Sequence, residues 1–348
     1  MGGKSGVVRS IAVLLISAIM ISLLSFEVLF NSKGEDFPFV SASLNIEENI
    51  QSQSGSQKPS ESVSSVQSNV SSNNTASKEV SASADAKGKI LEQFFSPYSA
   101  SLSYNNVYLK NSTGLNIDIK SLLKSGLGFK LKSNSQPQVL IMHTHTTESF
   151  MLEDRNYYTG SDLSRRTNEK QNMVALGEIV AKKLNSAGIK TIHDKTKHDY
   201  PAYNGSYTRA ADTICSYLKK YPSIKIVIDM HRDAISSGKS DKVKLCADIN
   251  GKKAAQVMLV MGSQSGTVKN FPKWKENLKL ALKIQQTFEV MYPTLARPLS
   301  LTSKNYNESL TTGSILLEMG TDANTLEEAK YSAELVGNAL VSVFNTLK

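Results

Sequence analysis

Cysteine and tryptophan are almost absent from this chain, which has two cysteines and one tryptophan in 348 residues. Because the sequence contains no CxxC or Cys-rich pattern, a disulfide framework and a cysteine-based zinc module are both excluded as the basis of the fold. A domain of about 250 residues can bury enough apolar surface to be stable without them. We expect Cys215 and Cys246 to be buried free thiols, and a single disulfide between them remains open.

Charged residues are missing from residues 10–26, an apolar run that follows Lys4 and Arg9. A helix of about 20 such residues spans the hydrocarbon layer of a membrane. Positive residues before the run predict a cytoplasmic start and an exported remainder. A cleaved signal peptide is the alternative. Because no small-x-small cleavage site follows directly, we favour an uncleaved anchor over residues 1–31 and a location in the cell membrane with the remainder outside.

Acidic residues are the scarcer charge, at 31 against 40 basic residues, so the net charge is +9. Such a charge attracts polyanions, among them nucleic acid, the bacterial cell wall and anionic lipid. Because the amino terminus indicates export, we expect peptidoglycan as the partner and no nucleic acid.

Apolar residues are also sparse from residue 32 to residue 87, where Ser, Asn and Gln dominate. This segment cannot bury enough surface to offset the entropy of folding, so we predict a disordered linker. An extracytoplasmic catalytic domain would occupy residues 88–348. Its first part, residues 88–137, contains the amphipathic pieces KILEQFF and IDIKSLLKSG, which we interpret as a helical preamble.

Apolar strand-like runs then alternate with helical patterns. Strands are predicted at 138–142, 189–193, 224–230, 244–249, 256–261 and 314–319, and helices at 169–187, 207–221 and 273–291. The dipeptide Asn250–Gly251 predicts a hairpin between the fourth and fifth strands. Thr325 and Glu328 form a capping box that opens a last helix. The pattern predicts an α/β fold with a mostly parallel, twisted sheet flanked by helices.

Polar side chains follow three of these strands. His143 and His145 come directly after the first, His231 follows IVIDM, and Glu318 lies near the end of SILLEM. Ligand groups in such folds collect where the strands end. Imidazole and carboxylate suit Zn²⁺, which in catalytic sites takes three protein ligands and keeps a position for water. A further carboxylate is then needed to move the proton. The sequence therefore predicts a zinc hydrolase site at this edge, with Glu148 as the acid nearest the histidine pair.

Each residue also has a structural interpretation. An HxH pair alone is a weak metal signal, and an isolated His231 is more often a hydrogen-bonded structural residue. A carboxylate such as Glu318 is costly inside an apolar strand unless it is paired or functional, and a salt bridge to Arg232 is the structural alternative. We interpret His193 and His198 as surface or packing residues, although His198 could line the cleft.

The segments VLIMHTHTTESF, NGSYTRAADTI, IVIDMHRDAI, WKENLKLALKIQ and KNYNESLTTGSILLEMGTDANTLEEA occur in this order. Together with the anchor they closely resemble the stage II sporulation protein P family. That family is similar in its core to the zinc-dependent N-acetylmuramoyl-L-alanine amidases, so the resemblance implies their fold of a mostly parallel sheet between helices. It also implies a peptidoglycan hydrolase of forespore engulfment, located in the mother-cell membrane and facing the intermembrane space. Implied partners are stage II sporulation proteins D and M.

The resemblance also implies roles for single residues. The amidase pattern VVLDPGH, laid on VLIMHTH, places its zinc histidine at His145 and a proline at His143, so His143 is either the true ligand or a neighbouring group. The second ligand is a glutamate. Glu148 is nearest, whereas Glu169 matches an EK that opens the next helix in the amidases, and we favour Glu148. His231 matches the third ligand, and Glu318 matches the carboxylate that moves the water proton.

The implied mechanism gives two more residues a role. Arg232 would stabilise the oxyanion or grip a carboxylate of the stem peptide. Asp233 would orient His231 or bind the peptide. The same zinc centre would suit a carboxypeptidase or endopeptidase acting on stem peptides. A wall-binding module without activity is the other alternative.

Overall fold

The computed structural model describes residues 85–132 and 136–348 of the chain. The predicted anchor and nearly all of the predicted linker lie outside these residues. Within them, no helix combines the length and apolar character that a membrane crossing requires.

Strands and helices alternate along most of the described chain. The strands are β1 (Ala86–Gln93), β2 (Leu102–Tyr104), β3 (Val107–Asn111), β4 (Val139–Met142), β5 (Tyr157–Thr159), β6 (Thr191–His193), β7 (Ile226–Asp233), β8 (Ser236–Ser237), β9 (Asp241–Ile249), β10 (Lys252–Ala255), β11 (Val257–Gly262), β12 (Leu299–Thr302) and β13 (Ser314–Thr321). The α-helices are α1 (Ile119–Lys124), α2 (Met173–Ser186), α3 (Ser206–Lys220), α4 (Trp274–Met291) and α5 (Leu326–Asn345). Short 3₁₀ turns lie at Pro97–Ser99 and Glu308–Leu310.

A central sheet of eight strands has the order β2-β3-β12-β11-β13-β7-β4-β6. Its neighbours are parallel except at β2–β3 and β11–β13. Helices cover both faces, as buried apolar strands require. The predicted α/β fold with a mostly parallel sheet flanked by helices is therefore confirmed.

The pleat of the central strands divides their side chains between two apolar clusters. In β7, Ile228 and Met230 belong to the larger cluster, to which α2, α4 and α5 contribute. Val227 lies on the opposite face, in a smaller cluster with Leu140 and with residues of α3. Successive strand residues point to opposite faces, so this division also fixes the face on which each polar residue at a strand end lies.

A second sheet has the order β10-β9-β1-β5, with β8 paired to β9. It corrects the predicted helical preamble, because KILEQ is the parallel partner of β9 and not a helix. The alternation of exposure along β1, with Ile90 buried at its centre, is that of a half-buried strand. Part of the prediction is confirmed, since IKSLLK forms α1.

The predicted hairpin is confirmed at its turn and wrong in its partner strand. Asn250 and Gly251 have φ values of 55° and 74°, the left-handed pair that a tight hairpin turn needs. The turn joins β9 to the short strand β10. β11 instead pairs with β12 and β13 in the central sheet, because the chain passes from one sheet to the other at Gln256.

Candidate metal and catalytic site

Three neighbouring strands of the central sheet carry the predicted site residues. β4 and β13 flank β7, all three are parallel, and Glu318 is in register with His231. Residues in register on adjacent strands lie on the same face, with strands about 4.8 Å apart. Glu318 and His231 therefore share the face that α3 covers.

Glu148 lies against His231. Its Oε2 atom is 3.6 Å from Nδ1 of His231 and accepts a hydrogen bond from the backbone N–H of Arg232 at 3.2 Å. The other ring nitrogen of His231, Nε2, is 2.9 Å from Oδ1 of Asp229. Both nitrogens of this imidazole thus face a carboxylate.

His145 completes the cluster on the same face. Its ring lies edge-to-face with that of His231 at a centroid distance of 5.2 Å. Tyr203 stacks on it at 4.7 Å and places its hydroxyl 3.2 Å from Nε2. Tyr207, from the first turn of α3, lies edge-on at 5.6 Å. We call His145, Glu148, His231 and Glu318 the histidine–glutamate cluster.

His143 lies outside this cluster, on the opposite face of the sheet. Its Nδ1 is 3.0 Å from the carbonyl oxygen of Met230, and its Nε2 is 2.9 Å from Nε2 of His193. The pair packs against Gly177 of α2. The reason is the pleat, since His143 continues the face of Ile141, whereas His145 lies in the turn that follows β4. Of the two histidines that the sequence leaves open, the structure therefore brings His145, and not His143, to His231.

The remaining sequence candidates also lie away from the cluster. Glu169 is exposed, and its ion-pair contact is Lys197 at 3.6 Å. His198 is buried between the carbonyl oxygen of His143 and the hydroxyl of Thr213, at 2.8 and 2.9 Å. Packing is thus the role of His198, as it is of His193. Of the two glutamates, Glu148 is the one beside His231.

Glu318 is buried in the middle of this charged region. Burial and the charge of Asp233 raise its pKa to about 8. Its Oε2 atom has no hydrogen-bond partner within the described residues. A bulge follows it on β13, where Gly320 has a φ of 86° and an added Cβ atom would lie 2.7 Å from that of Ala255. Only glycine suits that conformation and space, so the backbone that positions Glu318 depends on it.

Two neighbouring residues with predicted roles have defined partners in the structure. The guanidinium of Arg232 donates to the carbonyl oxygens of Ser149 and Ser164, at 2.8 and 2.6 Å, and it is buried. It holds the loop that carries Glu148, and within the described residues no salt bridge joins it to Glu318. Its role toward a substrate stays a prediction. Asp233 accepts from Arg297 at 3.0 Å and does not orient His231.

Electrostatics give the members of the cluster different protonation states. Burial lowers the pKa of His145 to about 4, so its imidazole is neutral at physiological pH. Burial opposes the charges of Glu148 and His231, but their interactions outweigh it. His231 and Arg232 hold the pKa of Glu148 far below its usual value. Asp229 and Glu148 raise the pKa of His231 well above its own.

The donor set fits zinc in kind. His145, Glu148 and His231 supply the nitrogen and oxygen ligands that zinc takes, and two ligands of a tetrahedral zinc ion lie about 3.4 Å apart, given bonds of about 2.0–2.1 Å. The 3.6 Å between His231 and Glu148 is close to that spacing. In the described part of the chain, however, no three His, Cys, Asp or Glu side chains already converge on one metal position. Binding would therefore require these side chains to move closer together.

Several residues of the site escape sequence reasoning. Asp229 has the clearest signal, an acid inside the apolar run IVIDM and two positions before His231, hence on the same face. Tyr203 and Arg165 belong to loops, and only the tertiary structure brings them here. The guanidinium of Arg165 lies 4.6 Å from the ring centre of Tyr203, pairs with Asp199 and approaches Glu148 at 3.5 Å.

Comparison with known proteins gives matches of two kinds. The family model for stage II sporulation protein P matches residues 19–341. A curated relative, stage II sporulation protein P of Bacillus subtilis (strain 168), is 31% identical over 231 residues, covering 63% of this chain. The match spans 53% of that relative, about half of its length.

Solved structures show a more distant similarity. The N-acetylmuramyl-L-alanine amidase Ami1 from Mycobacterium abscessus aligns with 61% of this chain and 99% of its own, at 11% identity and a TM-score of 0.37. The amidase AmiC2 of Nostoc punctiforme aligns with 62% of this chain and 97% of its own, at 11% identity and a TM-score of 0.36. The family model and the curated relative carry the assignment: this chain belongs to the stage II sporulation protein P family.

Proposed function

We propose that this protein is a zinc-dependent peptidoglycan hydrolase that cleaves the amide between N-acetylmuramic acid and L-alanine. The observation that carries the proposal is the histidine–glutamate cluster. Three potential ligands and one buried acid with a raised pKa lie on one face of three parallel strands. Membership of a sporulation family supports peptidoglycan as the substrate.

Glu318 is the proton carrier in this proposal. A general acid–base works best when its pKa lies near the working pH, and burial has moved this carboxyl to about 8. It would accept a proton from the attacking water and deliver it to the leaving nitrogen of L-alanine. Its buried Oε2 atom is available for that transfer, whereas Oε2 of Glu148 contacts Arg232 and His231 and Oε1 of Glu148 lies 3.5 Å from Arg165.

His145, Glu148 and His231 would hold the metal. A bound zinc ion would act there as a Lewis acid and would bring the pKa of a water molecule near neutrality. The ionised Glu148 and the neutral His145 are already in the protonation states that ligands need. His231 would release one proton on binding, from the nitrogen that faces Glu148.

The cellular location that we propose rests on the amino-acid sequence. Residues 10–26 would anchor the protein in the mother-cell membrane, with the described domain in the intermembrane space during engulfment. Stage II sporulation proteins D and M would be its partners. The excess of basic residues supports attraction to an anionic wall.

The test is a comparison of the purified full-length protein with its Glu318→Gln variant on isolated peptidoglycan. We expect the variant to keep bound zinc and to lose activity by a factor on the order of a hundred to ten thousand, because the proton carrier is gone while the ligands stay. Metal content and release of soluble fragments are the measurements. Full activity of the variant would exclude the role of Glu318.

Product analysis separates the alternatives. An amidase releases complete stem peptides from muramic acid, whereas a carboxypeptidase or endopeptidase leaves their first residue attached to the glycan. A wall-binding module would bind peptidoglycan and release nothing, with or without added zinc.

A further inference from the structure

Asp229 is a buried acid at the centre of the site, and the sequence analysis gives it no role. It lies in β7, only 5% exposed, two residues before His231 and on the same face. An ionised carboxylate in such a position is costly unless several donors satisfy it.

Each oxygen of Asp229 has a defined partner. Oδ1 forms an ion pair with the ring of His231, 2.9 Å from Nε2 but outside hydrogen-bond geometry, and accepts the backbone N–H of Thr144 at 2.8 Å. Oδ2 accepts the hydroxyl of Thr144 at 2.6 Å. Thr144 directly precedes His145, so one carboxylate joins the strand that carries His231 to the turn that carries His145.

These contacts decide which nitrogen of His231 faces the cluster. Because Nε2 is turned toward Asp229, Nδ1 is the nitrogen that points at Glu148. A carboxylate beside one imidazole nitrogen favours the proton on that nitrogen and so leaves the lone pair on the other one. Metal-binding histidines commonly have such a partner, and its loss typically weakens metal binding 10–100-fold.

We infer that Asp229 is a positioning residue that fixes His231 for coordination of the metal through Nδ1 and keeps the His145 turn beside it. The inference rests on the proposed function, since it needs zinc to bind at this cluster. It adds the coordinating atom and a residue that touches neither metal nor substrate.

The first experiment measures the zinc dissociation constant of the full-length protein by competition with a chromophoric chelator. Asp229→Asn keeps the size of the side chain and removes its charge, and we expect zinc to bind 10–100-fold more weakly. The matched control is Asp194→Asn. Asp194 is also a buried aspartate with hydrogen bonds, to Thr196 and Tyr217 at 3.0 and 3.1 Å, but it does not contact His231. The control should bind zinc like the wild type.

The second experiment needs no variant. In wild-type protein with isotope-labelled histidine and bound cadmium, NMR couplings identify the ring nitrogen that each histidine gives to the metal. We expect coupling to Nδ1 of His231. Coupling to Nε2 would overturn the inference, because that nitrogen would then have left Asp229.

The outcomes separate the inference from the proposed function. Equal zinc affinity of the wild type and Asp229→Asn would overturn the role of Asp229 and leave the metal site in place. A wild type that binds neither zinc nor cadmium would overturn both.

Discussion

Glu148 and Glu318 are both buried beside His231, yet their environments push their pKa values in opposite directions. Glu148 receives the backbone N–H of Arg232 and faces the charged ring of His231, which keep it ionised. Glu318 lies near Asp233 and is buried, which favours its protonated form. Two carboxyls separated in this way divide the work of a site, one as a ligand and one as a proton carrier.

The raised pKa of Glu318 predicts a pH-dependent stability of the metal-free protein. The ordinary value is 4.5 and the folded value about 8, so the folded state keeps a proton that the unfolded state releases between them. The free energy of unfolding should therefore fall as pH rises through that window, by up to about 1.4 kcal/mol per pH unit. Glu318→Gln lacks this group, so it should gain stability over the wild type as pH rises.

Denaturant unfolding of the chelator-treated full-length proteins, at pH values near either end of the window, measures the difference. A stability difference between wild type and Glu318→Gln that does not change with pH would show that Glu318 ionises normally in the folded state.

At the level of secondary structure, the pleat of β4 directs His143 toward α2, whereas His145 lies on the opposite face of the sheet. Helix α2 packs closely over the pair formed by His143 and His193. Gly177 is the point of closest approach. A Cβ atom there would lie 2.8 Å from Nε2 of His143 and closer still to His193. The helix can pack over the histidine pair only because this position has no side chain.

Gly177→Ala should therefore lower the free energy of unfolding by about 1–3 kcal/mol, because the methyl group overpacks a buried contact. Gly126→Ala is the control, since a Cβ atom at Gly126 meets nothing within 4 Å. Urea unfolding of the two variants and the wild type provides the comparison. A stabilised Gly177→Ala would mean that the helix propensity of alanine outweighs the contact and that α2 can shift.

At the scale of the whole molecule, Lys244 links the second sheet to α5. It lies in β9 with a side chain only 4% exposed, and its ammonium group is 2.7 Å from Asp154, 3.0 Å from Glu328 and 3.2 Å from Glu92. These acids come from β1, from the loop before β5 and from the capping box of α5. A buried cation with three anionic partners leaves uncompensated charge when it is removed.

Lys244→Met should destabilise the protein by about 3–5 kcal/mol. Adding Glu328→Gln should restore part of the loss, because it removes the most buried of the three acids and a glutamine still completes the capping box. Thermal and denaturant unfolding of the single and double variants test this coupling. If the effects of Lys244→Met and Glu328→Gln are simply additive, the ion pair between these residues does not couple the second sheet to α5.

Much of the fold could be predicted from local patterns. The apolar runs at β4, β7 and β13 and the helical spacing of α2, α3 and α4 were sufficient, because these elements bury continuous faces. The short amphipathic piece KILEQFF fits the period of a helix as well as that of a strand, and the β9 residues with which it pairs lie about 150 residues away in sequence. β2, β3 and β12 are not predicted from the sequence, because such short strands are defined by pairing with neighbouring strands and not by a pattern of their own.

Local sequence patterns are sufficient to predict an α/β domain with a mostly parallel sheet, and to place imidazoles and acids at the ends of its strands. Residue type and spacing are sufficient for that. The folded chain brings His145 to His231 and turns His143 toward α2. It also directs the guanidinium of Arg232 to backbone carbonyls and places Asp229 beside the ring of His231. These arrangements depend on the face of the sheet to which each side chain points and on partners that are distant in sequence. The spacing of residues does not encode either of them.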